Sequence, residues 1–499
     1  MVEPRRWARA AALTIVAWCG LQLALRRPAS ITDDWQGWRQ ADTQAIARNL
    51  AFEDFAPLRP RIDWRGDGPG YVETELQLYP TLIALAMRVT GESLWPGQLL
   101  SLACTALAAA ILFAALARRF GGRAAYVALL ATLGLQGTVV AATSIQPDPL
   151  ALLAFTIGFV AFVAWLERPS RANLAAWIVA TAVAGLVKPT TLELGIAQGV
   201  LVLIAHRPAL RRPALWLGWA AIVAVVIAFL LHARSLYVAY GNTFGLLSGG
   251  DSKLPAASAI ATPRPWIDLV RFAIIWGVGV AALPAGLFLA WRRRLGAEEL
   301  ALAAGAAVLS LLALRYTSGP YGTHYHLPHA VLGAWLIARA VAELERPSAA
   351  RGRMIVAVAA VVAALLYARA LRYVHTLPPE PETVVGRMLA EVAAPGTLVV
   401  VRARAPRWDP VWRTVNNCED PRVFYLSRTR GWVLTNDDAG AAHLAELAGR
   451  GARFYAHVHQ RPPDAELAAW LAAHADLVAR APAGEVYRLR GDASSSRTK

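Results

Sequence analysis

Lysine is almost missing from this chain. Lys188, Lys253 and Lys499 are the three lysines among fifty Lys and Arg residues, so the other forty-seven are arginine. Charge of either sign is scarce at 17% of residues, against 56% hydrophobic and a mean hydropathy of +0.40, which excludes an ordinary soluble enzyme and reads as a polytopic membrane protein. Three cysteines, Cys19, Cys104 and Cys418, are too few for a disulfide framework, and two of them lie inside apolar runs as small core residues. No glycine-rich phosphate-binding fingerprint and no internal repeat is found, which disfavours a nucleotide-sugar enzyme and a transporter built from repeated halves. Acidic residues number 34, leaving a net charge of +16. In a soluble protein that excess suggests nucleic acid. Here the arginines fall in short loops between apolar runs, the positive-inside pattern, so a nucleic-acid partner is excluded.

Apolar runs long enough to cross a bilayer predict about eleven spans, near 8–25, 97–117, 124–143, 149–166, 173–188, 190–205, 214–232, 267–291, 298–314, 323–341 and 354–371. The first follows Arg5, Arg6 and Arg9 and has no small-x-small cleavage site, so it reads as an uncleaved span. The run Tyr79 to Val89 is too short, holds Pro80 and Arg88, and reads as a re-entrant or interfacial helix. With a cytoplasmic N-terminus, every arginine-rich short loop falls on one side: Arg118, Arg119 and Arg123; Arg168 and Arg171; Arg207, Arg211 and Arg212; Arg292 to Arg294; and Arg346, Arg351 and Arg353. The expected location is the plasma (inner) membrane.

The opposite, extracytoplasmic side then receives a large first loop, about 26–96, and a second from about His232 to Trp266. It also receives the turn Ser144 to Pro149, the turn Lys188 to Thr191, and the segment Arg315 to Pro328. Beyond 371 the hydropathy drops. Short strands at Thr397–Val401, Val423–Leu426, Trp432–Thr435, Phe454–Val458 and Val486–Leu489 alternate with helices near 382–393, 438–449 and 464–474. The expected domains are therefore a transmembrane catalytic domain over 1–371, an extracytoplasmic α/β domain over 372–493 and a disordered tail over 494–499.

Chemistry gathers at the extracytoplasmic ends of the spans. The first loop carries Asp42 with Asp33, Asp34, Glu73 and Glu75, and its Trp35, Trp38, Trp64 and Tyr71 argue for order. Between Arg123 and Arg207, only Asp148, Lys188 and Glu193 are charged outside the loop at 167–171. Ionisable residues at such positions are functional candidates because burying a charge is expensive. Asp148 precedes Pro149 and also suits a helix start. Lys188 ends an apolar run in a protein whose default cation is arginine, where a compact ammonium can meet a phosphate as a point charge, or can reach the headgroups. Gly322 to His329 sets His324, Tyr325, His326 and His329 at the outer start of a span. They lack a recognised zinc spacing and suit hydrogen bonding to sugar or phosphate better.

The order of these features resembles the GT-C glycosyltransferases of the dolichyl-phosphate-mannose-protein mannosyltransferase and aminoarabinose-transferase superfamily. The residues that carry the likeness are Gly37-Trp38-Arg39-Gln40-Ala41-Asp42-Thr43, Glu75-Leu76-Gln77-Leu78-Tyr79-Pro80, the acid opening the fourth span, Leu186-Val187-Lys188-Pro189, and the His/Tyr-Leu-Pro start of a late span. The resemblance covers about 8–345, with Phe424-Tyr425-Leu426 and Arg430-Gly431-Trp432 beyond it. It implies an inverting transferase that uses a polyprenyl-phosphate sugar and a glycan, lipid or protein acceptor. Asp42 and Asp148 are then the catalytic candidates, and Lys188, Glu75, Arg39, Tyr79, His324, Tyr325 and His326 the substrate-binding ones. The family often has Asp-Glu where this chain has Asp42-Thr43, so the Asp33-Asp34 pair stays a competing source of the base. No cofactor is demanded, and a divalent cation is compatible with the site. The competing functions are a lipid-linked sugar transporter or flippase and a polysaccharide polymerase or ligase.

Overall fold

The computed structural model describes all residues except 1, 29, 250–256, 346–348, 403–407, 411, 416–418, 436–439, 460–462 and 491–499. The tail expected to be disordered, 494–499, lies outside the described residues. The chain divides into two units, each assembled from three separate stretches. One combines residues 1–29, 93–231 and 253–376; the other combines 30–92, 232–252 and 377–499.

The first unit is helical. Among the described residues, six helices of the chain are long and apolar enough to cross a membrane: Arg5–Arg26, Trp95–Phe120, Asp148–Glu167, Pro213–Tyr240, Pro320–Glu345 and Arg351–His375. A seventh span results if Pro263–Val278 and Ala282–Trp291 count as one, although they meet at 100°. The sequence suggests a straight run over 267–291; Gly279 breaks it by adopting φ +92°, a left-handed conformation available to glycine at little cost. The expected run 124–143 is also divided, into Gly122–Gly134 and Gln136–Ala141, at an extended Leu135. The runs expected at 173–188, 190–205 and 298–314 fold as helices of 17, 13 and 16 residues, Arg171–Val187, Glu193–Ala205 and Ala297–Leu312. At 1.5 Å per residue these reach about 20–25 Å, short of a typical hydrocarbon core on their own.

Packing ranks these helices. In their most apolar windows, Asp148–Glu167 is 72% buried and Pro320–Glu345 78%, whereas Arg351–His375 is 11% buried. The first two are therefore the centre of the unit, and the last presents its side chains outward. An ionic cluster ties one end of the central helices. Buried Glu298 and Glu299 open Ala297–Leu312; Arg119 pairs with Glu298 and with Glu167 at 2.5 Å, and Arg339 reaches Glu299 at 2.5 Å and Glu298 at 3.2 Å. Asp148, at the other end of the helix that finishes in Glu167, is thereby held at the opposite end of the bundle.

The second unit contains a five-stranded mixed sheet: β1 (Leu398–Arg402), β2 (Arg430–Leu434), β3 (Phe454–Val458), β4 (Ala475–Ala481) and β5 (Gly484–Leu489). Its order is β2-β1-β3-β5-β4, with β1 parallel to β2 and β3, and β5 antiparallel to β3 and β4. Helices Pro381–Val392, Ala441–Gly449 and Ala465–His474 accompany it. The segment Val423–Leu426, read from its β-prone residues as a strand, is instead helix Arg422–Ser427, in which Val423 and Phe424 are fully buried. Arg422 is locked to Asp420, Nη2 to Oδ2 at 2.6 Å, which fixes the turn entering the helix and overrides the local propensity.

The first loop docks on this sheet. Gly66 N–H donates to Gly431 O at 2.7 Å and Gly431 N–H to Asp63 O at 3.1 Å. Arg48 reaches Asp63 at 2.5 Å and lies over the Tyr425 ring at 5.7 Å. The second loop joins them: Val72 and Glu73 pair in parallel with Asn242 and Thr243. Fully buried Glu73 accepts hydrogen bonds from Thr243 Oγ1 at 2.6 Å and from Ser248 N–H and Oγ at 3.2 Å.

Candidate active site

In the helical unit, the chemistry collects where three helices begin or end. Asp148 is the first residue of its helix, with Pro149 next, so the sequence signal for a helix start holds. Lys188 terminates Arg171–Val187 and opens the 3-10 turn Pro189–Leu192. Its Nζ lies 3.0 Å from Asp148 Oδ1 and 4.9 Å from the centre of the Tyr325 ring. Both charged residues are buried. The pairing of Asp148 with Lys188 is not legible in the sequence, where they are forty positions apart. It means that the ammonium is already neutralised, and an incoming anion has to compete with a carboxylate for it.

Asp148 Oδ2 is buried and lacks a hydrogen-bond partner among the described residues, as do both amide atoms of the fully buried Gln146 two positions earlier. Such groups are costly unless water or a ligand meets them. Gln146 is therefore a candidate that the reading of charges alone passed over. The His324 ring lies 4.1 Å from the Tyr325 ring. His326 is enclosed, with Nε2 2.8 Å from Thr317 O. His329 pairs with Glu193 at 3.1 Å, both buried. That pair joins the start of Glu193–Ala205 to the segment carrying Tyr325, and its acid was visible in the sequence as one of the three isolated charges.

In the other unit, Asp42 sits in helix Gly37–Phe52, which is entered through a left-handed Gln36 (φ +54°). Trp64 Nε1–H donates to Asp42 Oδ1 at 3.0 Å. Burial in a poorly hydrating environment pushes the Asp42 carboxyl up to about 8, opposed by the Trp64 hydrogen bond and by the Arg39 charge. Arg39 is ion-paired with Glu75 and lies 5.3 Å from the centre of the Phe244 ring. Tyr79 is fully buried in the first turn of Leu78–Thr90. Thr43, where the resembled family often has Glu, returns its hydroxyl to Arg39 O at 2.8 Å. Of the competing acids, Asp33 accepts from Glu380 N–H at 3.0 Å and from Arg387 at 3.3 Å, and Asp34 accepts from Gln40 at 2.8 Å.

Residues 77–232, which include Tyr79, Asp148 and Lys188, match the family model of the dolichyl-phosphate-mannose-protein mannosyltransferases. The match covers about a third of the chain, mostly in the helical unit that holds Asp148 and Lys188. No curated protein matches the chain. Its fold is similar to that of ArnT from Cupriavidus metallidurans, at 16% identity over 96% of this chain and 98% of that one, with a TM-score of 0.64 in the apo state. Against the same protein bound to undecaprenyl phosphate the TM-score is 0.65, with 96% and 97% of the two chains covered at 16% identity. The archaeal oligosaccharyltransferase AglB from Archaeoglobus fulgidus, solved with an inhibitory peptide and a dolichol-phosphate, is similar at 12% identity and a TM-score of 0.58, over 92% of this chain and 70% of that one. At these identities the likeness establishes a shared fold, a polytopic helical membrane domain with a further mixed-sheet domain.

Proposed function

We propose that this chain is a glycosyltransferase that moves a sugar, with inversion, from a polyprenyl-phosphate donor to an acceptor hydroxyl of a glycan, lipid or protein at the extracytoplasmic face of the plasma (inner) membrane. In this reading the chain crosses about eleven times, the N-terminus is cytoplasmic, and 1–371 is the catalytic domain while 372–493 supports the first loop. Ligands of relatives, undecaprenyl phosphate and dolichol-phosphate, belong to the donor class proposed.

The observation that carries the reading is Asp42, a buried carboxyl whose proton affinity is raised into the range of a base working near neutral pH. The acceptor oxygen attacks the anomeric carbon, its proton passes to Asp42, and the bond from that carbon to the phosphate oxygen breaks. The departing polyprenyl phosphate gains one negative charge. It needs a cation rather than a general acid, so one catalytic carboxylate suffices where hydrolases use two. Lys188 supplies that cation by exchanging its contact with Asp148 for one with phosphate. Asp148 and Gln146, with unpartnered buried atoms, bind donor or acceptor hydroxyls. Arg39, Glu75 and Tyr79 shape the substrate surface around Asp42, and His324, Tyr325 and His326 that around Lys188. The engagement of Asp33 with Glu380 and Arg387 favours Asp42 as the base.

The test is incubation of the purified protein with a panel of polyprenyl-phosphate sugars and candidate acceptors, following release of free polyprenyl phosphate. Release that disappears in Asp42→Asn is expected. Lipid translocation without sugar release would replace this reading with the flippase one.

A further inference from the structure

The C-terminal sheet carries a group of side chains that the transfer reaction does not use. His457 lies in β3, and its register partner across the antiparallel neighbour β5 is Glu485. His459 follows two positions later, just past the end of β3, and its N–H donates to Ala483 O at 2.9 Å, which keeps it alongside the β4–β5 hairpin. Alternation along a strand places residues two apart, and a directly opposed partner, on one face of the sheet. One ligand atom from each of the three residues lies within 4.8 Å of the others. The burial is graded: His457 is fully buried, Glu485 is nearly so, and the His459 side chain is 40% exposed, which leaves an entry path.

The surroundings prepare these atoms for a cation. His459 Nδ1 is 3.2 Å from Pro482 O, so Nδ1 carries the proton and donates to the carbonyl, leaving the Nε2 lone pair available; that nitrogen is 4.0 Å from Glu485 Oε2. A ligating histidine characteristically donates its other ring N–H in this way. Tyr487 O–H donates to Glu485 Oε2 at 2.6 Å and Arg480 Nε to Oε1 at 2.8 Å.

We propose that His457, His459 and Glu485 bind a divalent transition-metal ion of the zinc class, with water as a fourth ligand, and so staple β3 to the C-terminal hairpin. Two imidazoles and one carboxylate form a donor set suited to Zn2+ and poorly suited to Ca2+ or Mg2+, which take oxygen ligands. Tetrahedral zinc with bonds near 2.0–2.2 Å sets its ligands about 3.4 Å apart. A contraction of roughly 1 Å, within reach of a rotation of the exposed His459 ring, completes the site. Arg480 stays on the Glu485 oxygen opposite the metal. This proposal is independent of the sugar-transfer reading.

The test uses untagged full-length protein in detergent, stripped with a chelator and titrated with Zn2+ against a chromophoric competitor, with Co2+ as a spectroscopic substitute. One equivalent is expected to bind, with the visible absorption of tetrahedral Co2+ carrying nitrogen and oxygen ligands. His459→Gln and Glu485→Gln, compared at matched secondary structure by circular dichroism, should each weaken binding by at least about tenfold. The His459 side chain is 40% exposed, so its variant is expected to fold even if the change at the more buried Glu485 is disruptive. Absence of stoichiometric binding by the parent protein, or binding that His459→Gln leaves unchanged, overturns the site.

Discussion

Asp42→Asn should stabilise this protein at alkaline pH while disabling it. Burial lifts the carboxyl from an ordinary 3.8 to about 8, so the folded chain holds a proton that the unfolded chain releases near pH 4. The folded state therefore binds more protons across the interval from 4 to 8, and its stability falls as pH rises through that window before levelling above 8. At about 1.4 kcal/mol per pH unit the ceiling on this loss is about 6 kcal/mol. Even about 2 kcal/mol of it corresponds to roughly 4–8 °C in the melting temperature of a domain of 150–250 residues. Asparagine keeps an oxygen for the Trp64 N–H, matches the protonated acid in shape, and does not titrate. The melting temperature of the detergent-purified variant relative to the parent should be several degrees higher at pH 8.5 than at pH 5. Its turnover should fall by about 10²–10⁴, the size of general-base catalysis. If the two melting temperatures keep the same difference at both pH values, the raised affinity of Asp42 for its proton is refuted.

Trp64→Phe removes a hydrogen bond that lowers the Asp42 pKa, so the rising limb of kcat/KM against pH should move further alkaline. A profile unchanged in position would detach Trp64 from the base. Lys188→Ala should weaken donor binding and turnover together, by an amount corresponding to about 1.5–3 kcal/mol for a charge-assisted contact, measured as donor affinity and single-turnover rate. Lys188→Arg should restore part of both, since a planar fork does not replace a point charge. Gln146→Leu, which removes two unpartnered buried polar atoms, should leave the melting temperature unchanged or raise it while raising KM for donor or acceptor. For the orientation, single cysteines at Gly68 and Arg207 in a cysteine-free background should divide, the first reacting with an impermeant reagent from outside and the second not.

Hydropathy and arginine placement made the helical stretches legible, because a lipid solvent leaves few alternatives to a long apolar helix. Where helices break was less so. Leu135 carries no breaking signal, and Gly279 is one of several glycines in an apolar run. The strand β4 was missed because Ala475–Ala481 lacks the alternation of a half-buried strand and takes its place from β5 beside it. Val423–Leu426 went the other way, since an ion pair at Arg422 and Asp420 decided what propensity could not. For the candidate site, charge scarcity singled out Asp148, Lys188 and Glu193 individually. Their partners, Lys188 for Asp148 and His329 for Glu193, are set by helix packing and leave no trace in local sequence. Gln146 was overlooked because its significance lies in having no partner among the described residues, which only coordinates can reveal.

The discontinuous make-up of the second unit has a consequence for biosynthesis. The loop that carries Asp42 leaves the ribosome early, yet the strand edge it docks on is among the last segments made; Asp67 and its ion-pair partner Arg450 are 383 residues apart. At about 5–20 residues per second, the loop waits roughly 20–80 s for that edge. Throughout the interval Trp64, Tyr71 and the buried acids beside them have no completed fold to enter. A nascent chain released before Gly431 holds every predicted span but an unfinished Asp42 neighbourhood, so insertion into the membrane and acquisition of activity are separate events in time. The interval is also an opening for a chaperone that recognises exposed aromatic loops.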